Sequence, residues 1–97
     1  MSSEELLSFC KILLRQKNTT AFDDEILSLI EACFADLKLS GVRDFENELI
    51  KRAVGLYVKA HFGFDNPDRD GLITCYESLK LHLSISKMYG EVLSNEA

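Results

Sequence analysis

Residues 66–77, NPDRDGLITCYE, hold the spacing that comes nearest to a metal site in this chain. Counted from Asn66, oxygen-bearing side chains fall at positions one, three, five and twelve (Asn66, Asp68, Asp70, Glu77), with Gly71 at position six. That is the register of a twelve-residue calcium loop: carboxylates supply hard oxygens, glycine makes the sharp turn and the last glutamate binds through both oxygens. Three features pull against it. Asn66 withdraws one negative charge from the first ligand, Pro67 biases Asn66 towards an extended backbone, and FDDEILSLIEA holds no second copy of a loop type that commonly works in pairs. The same residues also read as a helix stop and restart. Gly63 then caps one helix, Asp65 and Asn66 turn the chain, and Pro67 stands before or at the first position of the next helix, where its missing N–H is harmless. Asp68 and Asp70 become favourable charges at a helix start. The first reading makes the chain a calcium-binding helix–loop–helix protein; the second requires no metal and no cofactor.

Other reactive residue types are isolated. Asp23, Asp24 and Glu25 resemble an acidic cluster, but they follow Thr20 as the first turn of a helix should. His61 has no second His or Cys at ligand spacing and reads as a hydrogen-bonded structural histidine. Cys10, Cys33 and Cys75 are odd in number, widely spaced and without a C-x-x-C pair, which fits small core residues of a reducing compartment. No glycine-rich phosphate loop, G-x-S-x-G elbow or paired His and carboxylate occurs, so no catalytic residue is assigned and an enzyme is not expected.

The 97 residues amount to a single domain over 1–97 with a thin core. With 46% hydrophobic and 28% charged residues the composition is that of an ordinary globular chain. No apolar run reaches the roughly 18 residues of a membrane span, and MSSEEL is acidic and unlike a leader peptide, which points to the cytoplasm. The net charge is −5, and the only adjacent basic pair is Lys51–Arg52. Gripping nucleic acid needs clustered cations, so any role around DNA is one of surrounding or guiding it.

Hydrophobic periodicity predicts helix almost throughout. A first helix spans about 4–15, with Leu6, Cys10 and Leu13 on one stripe and Ser2 or Ser3 as cap. A second spans about 22–39 on Phe22, Ile26, Leu29, Cys33 and Leu37, with Thr20 in a capping box and Gly41 as a left-handed cap. A third, about 45–62, is apolar round most of its circumference; only Glu48, Lys51, Arg52 and Lys59 mark a wet side. Such a helix is central or also faces a partner, and Gly55 within it implies close approach by a neighbouring backbone. A fourth spans about 68–84 on Leu72, Tyr76, Leu79 and Leu83. The remaining tail, with Gly90, is expected to be irregular or a short strand, or to pack Val92 and Leu93 on a partner. The class is all-α, a four-helix domain.

IKRAVGLYVKAHFGFDNPD, followed by YESLKLHLSIS, closely resembles the small head–tail connector (head-completion or DNA-packaging) proteins of tailed bacteriophages, common in phages and prophages of Gram-positive bacteria. FDDEILSLIEACFADLKLSGV resembles the second helix of the same family, and the similarity runs over roughly residues 5–86. The LYVKAHFG and DNP block is its specific part. Asp70–Gly71 and SKMYGEV depart from the family pattern. The resemblance implies a structural subunit of a cyclic homo-oligomer that docks under the portal protein, extends the DNA channel without sequence-specific binding, and receives the next connector or stopper protein. It places the protein at the head–tail junction of the virion, made in the bacterial cytoplasm, with no role at a membrane. An acidic lumen would let DNA slide. The subunit-interface candidates are Leu56, Tyr57, Phe62, Phe64, Tyr89, Val92 and Leu93.

Overall fold

The computed structural model describes the backbone of residues 2–63 and 65–96, and the side chains of 2–63 and 65–85. Four helices follow in order: α1 (Ser3–Leu13), α2 (Asp23–Leu39), α3 (Glu48–His61) and α4 (Arg69–Glu96). No strand occurs among the described residues. Each helix begins and ends for a local reason. Ser2 caps α1 by accepting a hydrogen bond from the Glu5 amide at 3.1 Å. Asn47 caps α3, its Oδ1 accepting from the Leu49 amide at 2.8 Å; the Asp44 carboxylate takes the Glu46 amide at 3.2 Å. That turn moves the start of α3 from the expected residue 45 to Glu48.

Helix α2 ends as its sequence predicts. Gly41 has φ +91°, and the Val42 amide donates to the Leu37 carbonyl at 3.0 Å, while Val42 itself is buried. This is the double closure of a glycine-ended helix with its hydrophobic contact. Its start differs from expectation. Phe22 occupies the cap position with no side-chain hydrogen bond, and Thr19, rather than Thr20, bonds the backbone, accepting from the Ala21 amide at 3.1 Å. The first turn therefore relies on Asp23, Asp24 and Glu25 against the helix dipole, and on the ion pair from Lys11 to Asp23 at 2.9 Å.

Helix α3 lies in the middle and packs against each of the other three, while α1 and α2 also pack on one another. Ile50, Ala53, Val54 and Val58 are fully buried on it. They meet Leu6 and Cys10 from α1, Ile26, Ile30, Cys33 and Leu37 from α2, and Tyr76 and Leu83 from α4. Each large aliphatic side chain so buried contributes about 1.5–3 kcal/mol. The near-continuous apolar surface of α3 is thus largely explained by its own neighbours. At Gly55 a Cβ would come within 2.8 Å of the Leu13 Cδ1 and 2.9 Å of the Phe9 Cε2; the approach there is by side chains of α1, not by the neighbouring backbone expected.

Two expectations need correction. The fourth helix does not stop near Ser84, and the segment expected to be an irregular or short-strand tail continues as α-helix to Glu96. No proline follows Pro67, a lone glycine costs only about 1 kcal/mol relative to Ala, and the Ser84 hydroxyl bonds back to the Lys80 carbonyl at 2.8 Å, inside the helix. Cys75 is exposed rather than a core residue, because it lies roughly a quarter-turn round α4 from Tyr76 and Leu83, off the side that meets the core.

Candidate assembly surfaces

The turn between α3 and α4 decides what the Asn66–Glu77 spacing does. Gly63, at φ +79°, reverses the chain after α3. The Asn66 Oδ1 then accepts the Asp68 amide at 3.0 Å, and its Nδ2 donates to the Lys59 carbonyl at 2.8 Å. The Arg69 Nε donates to the Ala60 carbonyl at 2.9 Å, and its Nη2 reaches the Gly63 carbonyl at 3.4 Å. Two side chains thus satisfy carbonyls that the end of α3 leaves without an intrahelical partner. Asn66, Asp68, Asp70 and Glu77 do not converge. Asp70, Gly71 and Glu77 lie within α4, and seven helical residues separate Asp70 from Glu77 by about 10.5 Å. Gly71 lacks the positive φ seen at Gly41 and Gly63, and Glu77 pairs with Lys80 at 2.9 Å. Among the described residues no three His, Cys, Asp or Glu side chains gather as a metal set.

One face of the domain is closed by a polar latch between α2 and α4. The Tyr76 hydroxyl donates to the Asp36 Oδ2 at 2.6 Å, and the Lys80 ammonium donates to the same oxygen at 3.0 Å. The Cys33 thiol points at the Tyr76 oxygen at 3.8 Å. Tyr57 packs beneath, its ring 5.2 Å from Tyr76 and 4.4 Å from His61. Burial pushes the Cys33 thiol up to about 12 and the Cys10 thiol to about 11, so neither is a nucleophile near neutral pH. Burial, followed by the hydrogen bond to Asp36, raises the Tyr76 hydroxyl as well. At Asp36 burial acts upward, but the hydrogen bonds from Tyr76 and Lys80 and the Lys80 charge outweigh it and hold the carboxyl below its ordinary value. The arrangement fastens α4 to α2.

The opposite face is open. Phe9 and Leu13 of α1, Gly55 and Leu56 of α3 and Leu72 of α4 line a groove of about 550 Å³. Lys51, Arg52 and Lys59 stand along its edge with one acid among the described residues, Glu48. Lys51 lies over the Phe9 ring at 4.7 Å. These are the residues that marked the wet side of the third helix.

The expected interface residues separate. Leu56 lines this groove. Tyr57 is half-buried and turned towards Tyr76. Phe62 stacks edge-on against Phe22 at 5.5 Å. Phe64 and the side chains of Tyr89, Val92 and Leu93 lie outside the described residues. His61 is exposed and held by ring contact with Tyr57, not by the hydrogen bond expected of it. Sequence reasoning missed Asp36, Tyr76, Lys80 and Arg69 as fasteners. The i, i+4 spacing of Tyr76 and Lys80 was the visible signal for two of them, whereas their meeting with Asp36 depends on the crossing of α2 and α4.

The helical body thus carries a polar latch on one face and, on another, an open apolar groove edged by Lys51, Arg52 and Lys59. A family model described as phage connector protein matches residues 6–90. The chain belongs to that family, a phage connector whose role is structural. It is accordingly a virion component. No curated protein and no solved structure matches the chain. No helix among the described residues is long and apolar enough to cross a membrane.

Proposed function

We propose that residues 1–97 act as one domain and form a subunit of a ring that docks under the portal at the head–tail junction once DNA is packaged. The ring extends the DNA channel and offers its far side to the next connector or stopper protein. The observation that carries this reading is family membership across residues 6–90. The groove around Leu56 supports it, since a ring subunit needs apolar surface that its own fold leaves open. The net charge of −5 suits a channel through which DNA slides without being held.

The test is electron microscopy of virions, or of purified portal mixed with this protein. A closed ring of this chain on the portal axis is expected. Density for the chain elsewhere on the particle, or no binding to the portal, would refute the reading.

A further inference from the structure

Two surfaces of the domain match each other in charge and in spacing. The first is the groove between α1 and α3, apolar at its base and edged by Lys51, Arg52 and Lys59. None of the three has an ion pair among the described residues. The second is the outer face of α2, opposite its buried stripe of Ile26, Ile30, Cys33 and Leu37. There Asp24, Glu25 and Glu31 are exposed beside the small residues Ser28, Ala32 and Ala35, a profile that lets another helix lie close.

Arg52 and Lys59 stand seven residues apart on α3, and Asp24 and Glu31 stand seven apart on α2. Both intervals are two helical turns, about 10.5 Å. An antiparallel crossing sets Arg52 against Glu31 and Lys59 against Asp24. It also brings Lys38 of α2 to the end of the groove edge where Glu48 is found. We propose that the groove receives the outer face of α2 from a second copy of this chain.

The occupant must be another molecule, because α2 packs its opposite face on α1 and α3 of its own fold and cannot turn outward into its own groove. Two copies at −5 each repel overall, so association requires local complementarity of this kind. The contact joins two different surfaces, so repetition gives a ring if the rotation closes and a filament if it does not.

The contact deepens the connector reading by naming its surfaces. Sedimentation equilibrium of the full chain in low salt tests it with two charge reversals at exposed positions. One variant carries Arg52→Glu and Lys59→Glu; the other carries Asp24→Lys and Glu31→Lys. Wild type is expected to associate, and each variant alone to associate about tenfold or more weakly. An equimolar mixture is expected to recover association to within about threefold of wild type, because each reversed face meets its complement. A wild type that stays monomeric overturns the proposal, as does either variant associating like wild type. So does a mixture that fails to recover while both variants keep wild-type melting. Should a reversal unfold the chain, Arg52→Gln with Lys59→Gln replaces it, and unchanged association in that neutral variant refutes the contact. The two readings fail separately. A ring on the portal without this dependence on charge removes only the contact; charge-dependent association without portal binding removes only the connector role.

Discussion

The latch face and the groove face of this domain use similar residue types to opposite ends. At the latch, Lys80, Asp36 and Tyr76 are half-buried or buried, and each is satisfied by another within about 3 Å. At the groove, Arg52 and Lys59 are exposed beside apolar side chains and have no ion pair among the described residues. Charge that is spent inside one fold stabilises it. Charge left at the edge of an apolar groove contributes little to a monomer and is available to another surface. The first face holds the domain together; the second is where assembly has something to gain.

Substitutions that break the two faces separately should differ in size. The largest loss is expected from Tyr76→Ala, which empties a buried aromatic site: about 3–5 kcal/mol in urea unfolding. Arg69→Ala should follow at about 1.5–2 kcal/mol, since it leaves carbonyls at the end of α3 without their charged donor. Chemical denaturation reads that loss, and calcium should not restore it.

Asp36→Asn tests the latch through pH. The carboxyl is held below its ordinary value when folded. Its contribution is therefore present above the unfolded carboxylate value of about 4 and is lost as pH falls through the folded value. Wild type should exceed Asp36→Asn in stability near neutrality, with the gap closing in melts taken progressively below about pH 4. Persistence of the gap at pH 2 would count against the latch.

Gly71→Ala should go the other way. The position is helical without positive φ, and an added Cβ meets nothing within 4 Å, so a gain of about 0.5–1 kcal/mol is expected. A calcium loop needs that glycine for its turn, so loss of stability, or a melting temperature raised by calcium in wild type, would restore the metal reading. Smallest of all, Arg52→Glu with Lys59→Glu should change monomer stability by less than about 0.5 kcal/mol. A large loss there would mean that the groove is part of the fold and erase the contrast between the faces.

Much of this was legible in the chain. The four helices, the cap at Gly41 and the stop at Gly63 follow from periodicity and backbone preference, which act between residues a few positions apart; the crowding at Gly55 was legible, but that α1 side chains rather than a backbone cause it was not. The family could be read from LYVKAHFG and DNP for the same reason, since a run of sequence carries it. Local reasoning went astray where two local preferences compete. Thr19 and Thr20 both suit a turn, and Gly90 weakens a helix without ending it.

The calcium-like spacing shows the limit most clearly. The spacing of Asn66, Asp68, Asp70 and Glu77 fits a loop as well as a helix corner, and only Asn66, Pro67 and the single copy weigh against the loop until the partners of Asn66 and Arg69 are known. Those partners, the Lys59, Ala60 and Gly63 carbonyls, are supplied by α3 folding back against α4. Sequence by itself determined the four helices up to about Ser84 and the family they belong to, but not that α4 continues to Glu96. Tertiary structure decided which charges are consumed inside the fold, because Asp36 meets Tyr76 and Lys80 across 40 and 44 residues, and only a fold that brings α2 and α4 together on α3 closes that distance.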